Sequence, residues 1–241
     1  MTTAEPGKRL FVGLRVSVST SNALAGAAET LARRANDAGI EIRWVAPVSY
    51  HITLKYLGWT REAAIGAVVD TIEVAAADTL RFPLTCARIG CFPSLEKASV
   101  IWAGIEEGSG ALAALARGID AGCARLGFAA EKRAFHPHVT LGRLRETRPL
   151  RDVVLPLSEQ MFGDTRVDVV TLFESQTKSS GSVYSELRRI DLKSPRSTLN
   201  SAVERQTPAV QLDPTTRSNE SAEVGTDTDD GWPRGHHHDD L

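Results

Sequence analysis

The arrangement His-x-Thr-Leu occurs twice in this chain, as HITL at residues 51–54 and as HVTL at residues 138–141. Side chains alternate between the two faces of a β-strand, so in each copy the histidine and the threonine share one face and the two apolar residues share the other. Each copy therefore predicts a half-buried strand with an imidazole and a hydroxyl on its open side. Any fold for this chain must supply two such strands.

The segments around the two copies predict a mixture of strands and amphipathic helices. Helices are expected at residues 22–38, 61–77 and 109–126, and a loop or short helix at 147–161. Further strands are expected at residues 9–18, 42–45, 84–92, 99–105, 166–177 and 182–192. Strands follow strands directly often enough to favour antiparallel pairing and an α+β fold over a doubly wound parallel sheet.

Charge and composition change near residue 195. Residues 1–195 hold 24 Lys and Arg against 21 Asp and Glu, whereas residues 196–241 hold 4 against 9. The final segment is rich in Ser, Thr, Asp and Pro and shows no sustained period, so we predict one domain over 1–194 and a disordered acidic tail over 195–241. The HHH at 236–238 is interpreted as solvated rather than metal-binding, because no His or Cys partners stand at site spacing.

Residues 1–195, called the body of the chain below, show no sequence signal for disulfides, export or membrane insertion. Three cysteines, Cys86, Cys91 and Cys123, show no paired spacing, which argues against a disulfide framework or a zinc site. The apolar run at the start is too short for a signal peptide, and no stretch approaches the roughly 18 apolar residues of a membrane helix. The sequence therefore predicts a cytoplasmic protein that does not contact membranes and is a monomer. The mildly basic body suits local recognition of an anionic substrate rather than extended duplex binding.

Two imidazoles and two hydroxyls that face one another suit the cleavage of a phosphodiester. An in-line displacement needs a base for the attacking water and an acid for the leaving oxygen, and histidine can do either near neutral pH. Threonine hydroxyls can donate to the non-bridging phosphate oxygens. A lone strand histidine is more often structural, but two of the three histidines in the body stand in this arrangement. This scheme requires no metal or other cofactor.

The two motifs in their flanks, HITLKYLG and HPHVTLGRL, together with RLFVGL, RWVAPVSYH and FPSLEKASVIW, resemble the 2H phosphoesterase superfamily over about residues 8–192. Within it, they are most similar to the bacterial RNA 2′,3′-cyclic phosphodiesterases. The resemblance implies a bilobal fold in which two pseudo-symmetric antiparallel sheets face a central cleft, with helices on the outside and one motif on each side.

The resemblance also implies an activity and residue roles. The activity is hydrolysis of a 2′,3′-cyclic phosphate at an RNA end to a 2′-phosphate, with reversible 2′-5′ RNA joining in some members. By position, His51 is the general acid that protonates the leaving 3′ oxygen and His138 is the general base that acts on water. Thr53 and Thr140 hold the phosphate. Two alternatives remain: another cyclic substrate such as ADP-ribose 1″,2″-cyclic phosphate, and a non-catalytic module that binds RNA ends.

Three basic residues are second-rank candidates. Arg143 stands where related sequences often carry a basic residue, and a guanidinium suits phosphate. Strand alternation places Arg143 opposite Thr140 unless Gly142 introduces a bulge. Lys55 is expected to continue the face of the first motif or to be a solvated charge, and Arg43 to line the cleft or to be exposed.

Aromatic residues and a third histidine complete the candidates. Tyr56, Phe92 and Tyr184 are candidates for stacking on a base, or else core residues. The spacing His136-Pro137-His138 could ligate a metal or indicate a histidine-triad hydrolase. Threonine stands where a triad needs its third histidine, so we interpret His136 as a rim residue in front of a strand that begins at the proline.

Overall fold

The computed structural model describes residues 5–178 and 181–194, which form one antiparallel sheet with helices packed against it. The strands are β1 Gly7–Leu14, β2 Arg43–Trp44, β3 Ile52–Arg61, β4 Phe82–Phe92, β5 Ala98–Ile105, β6 His138–Arg148, β7 Met161–Val167, β8 Val169–Lys178 and β9 Gly181–Asp191. The α-helices are α1 Val18–Asp37, α2 Ile65–Ala77, α3 Ser109–Arg125 and α4 Arg151–Val154.

The strand order is β7-β4-β5-β6-β3-β1-β8-β9, with β2 paired to β6. The predicted α+β class and antiparallel pairing are confirmed. The two expected sheets are the two halves of one curled sheet, because β6 meets β3 where Val139 pairs with Ile52. Farther along, the same edge of β6 pairs with β2 instead, through Gly142 and Arg143. The two motif strands therefore meet only at the motifs.

The two faces of the sheet differ as the alternation in the motifs predicts. Ile52, Leu54, Val139 and Leu141 are all buried in a core that also takes in residues from the first three helices. The helical residues that join this core include Leu24, Leu31, Ala35, Val68, Ile72, Ala76, Leu112, Leu115 and Ile119. The other side of the sheet, which carries the motif histidines and threonines, is called the open face below.

Some element boundaries differ from the prediction. Helix α1 begins at Val18 rather than at 22, because Ser17 caps it: its hydroxyl accepts from the Thr20 N–H at 3.1 Å. Strand β3 continues past Gly58, which adopts a φ of 72° in the left-handed region that glycine tolerates. Strand β7 begins at Met161, where the segment predicted as loop or short helix ends, and it pairs with the edge of β4.

The predicted tail over 195–241, with its three histidines, lies outside the described residues. The domain boundary at 194, the monomeric state and the cytoplasmic location stay predictions. In the part of the chain that the structure describes, no helix combines the length and apolar character needed to cross a bilayer.

Candidate active site

A β-bulge follows the threonine of the second motif. Thr140 and Gly142 pair with consecutive residues of β5, so Leu141 is the extra residue on β6. An extra residue shifts the alternation of the strand by one position. Arg143 therefore lies on the open face with Thr140, not opposite it as unbroken alternation would have it.

The first motif has the same bulge at the equivalent residue. Thr53 and Lys55 pair with consecutive residues of β1, so Leu54 is the extra residue on β3. The interpretation of Lys55 as an open-face or solvated residue is wrong, because the bulge directs its side chain to the buried face. Only 6% of Lys55 is exposed, and its Nζ donates to Oδ1 of Asp120 at 2.5 Å and to the carbonyl of Ala129 at 2.6 Å.

The two bulges make Tyr56 and Arg143 equivalent positions, each three residues after the motif threonine. Tyr56 pairs with Phe11 on β1, whose ring contacts His51 on the open face. Tyr56 is 57% exposed, so it is not a core aromatic. Its stacking role stays a prediction.

Both motif histidines are held in one tautomer by the backbone. Nδ1 of His51 lies 2.7 Å from the carbonyl of Ser49, and Nδ1 of His138 lies 2.7 Å from the carbonyl of His136. A carbonyl can only accept, so each Nδ1 carries a hydrogen and each Nε2 is the atom left to exchange a proton. Nε2 of His51 lies 3.1 Å from Oγ1 of Thr53.

The pairing of the two motifs sets the arrangement of the four polar side chains. The residue between histidine and threonine in one motif pairs with its counterpart in the other, Ile52 with Val139. In an antiparallel pair this register places His51 across from Thr140 and Thr53 across from His138. The site thus has an approximate two-fold axis that passes between the two apolar residues.

Aromatic rings border both imidazoles. Tyr184 stands edge-on to His51 with ring centroids 5.0 Å apart, and Phe92 stands edge-on to His138 at 5.1 Å. Two of the three aromatic candidates therefore lie beside the histidines. Phe11, 4.8 Å from His51, was missed because an aromatic in an apolar strand has the sequence signature of a core residue.

The pKa of each motif histidine lies below its usual value near 6.5. Burial is the main cause, since it penalises the imidazolium, and the hydrogen bond to the backbone carbonyl only partly opposes it. The positive charge of Arg143 lowers the pKa of both His51 and His138. Arg143 is therefore within electrostatic reach of both motif histidines.

A second guanidinium acts on the first histidine. The charge of Arg15 lowers the pKa of His51, and its Cζ lies 5.2 Å from the centroid of the Phe173 ring. Its Nε donates to Oε1 of Glu186 at 2.7 Å. Arg15 was missed because an arginine at the end of an apolar strand has no distinguishing pattern.

A pocket of about 240 Å³ adjoins His138 and is bordered by Phe92, Trp102 and His136 among others. His136 acts on its neighbour through its backbone carbonyl. Among the described residues, no group of three or more His, Cys, Asp and Glu side chains is placed to hold a metal ion. The His136-Pro137-His138 spacing thus gains no third ligand from these residues.

An α+β fold in which two His-x-Thr strands meet on one face defines a 2H phosphoesterase. The sequence model of the 2′-5′ RNA ligase superfamily matches residues 20–178, and the chain belongs to this family.

Relatives with assigned names span most of the described chain. The RNA 2′,3′-cyclic phosphodiesterase of Aeropyrum pernix is 28% identical over 155 residues, covering 63% of this chain and 87% of that protein. The RNA 2′,3′-cyclic phosphodiesterase of Aquifex aeolicus is 28% identical over 179 residues, covering 73% and 93%.

Solved structures share the fold. The protein TT0787 of Thermus thermophilus superposes with a TM-score of 0.64 at 25% identity and covers 76% of this chain and 97% of its own. E. coli LigT in complex with 3′-AMP gives a TM-score of 0.60 at 25% identity and covers 78% and 99%.

Proposed function

We propose that this protein hydrolyses the 2′,3′-cyclic phosphate end of RNA to a 2′-phosphomonoester without a metal ion. The observation that carries the proposal is the pair of motif histidines, each with Nδ1 held by a backbone carbonyl and Nε2 left for proton transfer. The names of the relatives support the substrate class.

In the proposed reaction the two imidazoles serve the two ends of an in-line displacement, in the roles that the family resemblance implies. Neutral His138 accepts a proton from water at Nε2 while the water oxygen bonds to phosphorus. The bond between phosphorus and the 3′ oxygen breaks, and the protonated Nε2 of His51 delivers its proton to that oxygen. The 2′ ester bond survives, so the product is a 2′-phosphate. Exchange with solvent then restores both protonation states.

Charge on the phosphate is met by three side chains of the open face. The hydroxyls of Thr53 and Thr140 donate to the non-bridging oxygens, and the guanidinium of Arg143 neutralises them. The same site is compatible with 2′-5′ joining, because the 5′ hydroxyl of a second strand can replace water at His138. The pocket beside His138 gives room for the nucleoside that carries this hydroxyl.

A substrate panel in EDTA tests the proposed reaction. We expect hydrolysis of an RNA oligonucleotide with a 2′,3′-cyclic phosphate end, and phosphorus NMR should show only the 2′-phosphomonoester. A 3′,5′-cyclic nucleotide serves as the control and should remain intact. Exclusive turnover of ADP-ribose 1″,2″-cyclic phosphate would assign another substrate, and RNA binding without any turnover would assign a binding module.

The pH dependence tests the charge of Arg143. The reaction needs protonated His51 and neutral His138, so kcat/KM falls at high pH as the first deprotonates and at low pH as the second protonates. The two limbs of this profile, its rise at low pH and its fall at high pH, should both lie on the acid side of 6.5, because the pKa of each histidine is lowered. In Arg143→Gln, loss of the positive charge should move both limbs to higher pH. It should also reduce kcat/KM.

The measurement is the pH profile of kcat/KM on a 2′,3′-cyclic mononucleotide. Arg61→Gln is the matched control, since Arg61 pairs with Glu5 at the surface and should leave both limbs in place. Limbs that stay fixed, or move to lower pH, in Arg143→Gln would contradict the assigned position of this guanidinium.

A further inference from the structure

A groove of about 480 Å³ runs beside the β2–β6 pair and is lined by four arginines: Arg43, Arg143, Arg145 and Arg148. Only Arg143 is used by the reaction described above. The remaining cationic side chains need another explanation, because a cyclic mononucleotide carries a single phosphate.

Three of the arginines share the open face. Arg43 pairs directly with Arg143 across the β2–β6 ladder, and paired residues project to the same side of a sheet. Arg145 stands two residues after Arg143 on β6, so alternation places it on that side too. The distance along the strand between these two positions is about 7 Å, comparable with one nucleotide step of an extended single strand.

These three arginines, called the arginine row below, are not neutralised by ion pairs within the described part of the protein. Arg43, Arg143 and Arg145 form no ion pair with another described residue, whereas Arg148 pairs with Glu146 at 3.4 Å. Like charges directly opposite on a sheet are destabilising, so a bare Arg–Arg pair costs stability until an anion joins it. One other carboxylate, Glu41, lines the groove.

The row starts at the phosphate site and leads away from it. Arg143 acts electrostatically on both motif histidines and also lines the groove. A strand whose terminal cyclic phosphate lies between the histidines continues in only one chemical direction, through the phosphates on its 5′ side. Arginine is well suited to such phosphates because its planar fork can bind two oxygens at once.

We propose that Arg43 and Arg145 bind the backbone phosphates of the nucleotides that precede the cyclic end, so that the enzyme takes an RNA strand in preference to a cyclic mononucleotide. This inference rests on the proposed function for its substrate. It assigns the strand a path along β6 and β2 and divides the arginines by role: Arg143 neutralises the reacting phosphate, whereas Arg43 and Arg145 hold the strand.

The test compares two substrates in the double variant Arg43→Gln/Arg145→Gln. On an RNA hexanucleotide with a 2′,3′-cyclic end, we expect kcat/KM to fall about tenfold or more because KM rises. On a 2′,3′-cyclic mononucleotide, kcat/KM should stay within about twofold. The slope of log kcat/KM against log salt for RNA should become shallower by about 1.4, which is roughly 0.7 for each lost phosphate contact to a single strand.

Two further variants serve as controls. Arg33→Gln/Arg125→Gln removes the same charge from helices α1 and α3, and should leave the RNA slope unchanged. Glu41→Gln removes one of the two carboxylates that line the groove and should strengthen RNA binding. Equal losses on RNA and mononucleotide, or no loss on RNA, in the double variant of the groove would overturn the proposal.

Fluorescence anisotropy with a labelled hexanucleotide separates this inference from the proposed function. RNA binding that weakens about tenfold in the groove variant supports the arginine row even in a protein that hydrolyses neither substrate. Hydrolysis of the mononucleotide together with unchanged RNA affinity in the variant would leave the proposed function intact and overturn the row.

Discussion

Replacing His138 by alanine is expected to lower kcat on a 2′,3′-cyclic nucleotide by about 10²- to 10⁴-fold, and replacing His51 should have an effect of the same size. Each variant removes one of the two proposed proton-transfer groups while the buried anchors Ile52 and Val139 keep the motif strands in place. The double variant should be little worse than either single one, because groups that act as a unit are not additive. Initial rates in EDTA measure the effect, and circular dichroism checks the fold.

The matched control is His136→Ala. It changes the third histidine of the body, yet it retains the backbone carbonyl that accepts from His138 Nδ1, so activity should stay within about threefold. The pH profiles should separate the two roles: loss of His51 removes the limb at high pH, and loss of His138 removes the limb at low pH. Full activity in both alanine variants would contradict the proposed mechanism.

The largest effect on stability is expected from Lys55→Ala, at about 2 kcal/mol of unfolding free energy. The change strips the Asp120 carboxylate and the Ala129 carbonyl of their buried donor. The pKa of Asp120 reflects the same contact: burial would raise it, but hydrogen bonds from Lys55 and the Glu131 backbone hold it below its usual value. The loss corresponds to a Tm lower by about 4 to 8 °C.

Chemical denaturation and thermal unfolding measure this loss. Lys97→Ala, at an exposed lysine, is the control and should change stability by less than about 0.5 kcal/mol. Lys55→Met/Asp120→Leu should recover much of the loss, because apolar groups can at little cost replace an ion pair whose lysine is buried. If Lys55→Ala left stability unchanged and reduced only catalysis, Lys55 would belong to the open face after all.

Lys55 and Arg143 show why part of the site could not be predicted. Strand alternation correctly placed the four motif residues and their apolar anchors, since it needs only the local sequence. The same rule gave the wrong face for Lys55, and would have done so for Arg143, because each follows a bulge. A bulge is set by the register with the neighbouring strand, which lies far away in sequence.

Two other features of the site could not be predicted from the sequence. The carbonyls that fix the tautomers belong to Ser49 and His136, and every residue type has a carbonyl. The contact between the motifs depends on the single pair Ile52 with Val139, which arises only when the two halves of the sheet come together. The α+β class, in contrast, followed from the order of strands and helices alone.

The order of strands in space has a consequence for biosynthesis. The half of the sheet beside His51 combines β3 and β1 with β8 and β9, the last two of the described strands in chain order, whereas the other half contains β2, β4, β5, β6 and β7. A nascent chain that has reached β7 already contains both motif histidines. It still lacks Tyr184 beside His51, and β1 still has a free edge that β8 will cover. Until β8 and β9 have been made, this free edge of β1 can pair with a strand of another chain.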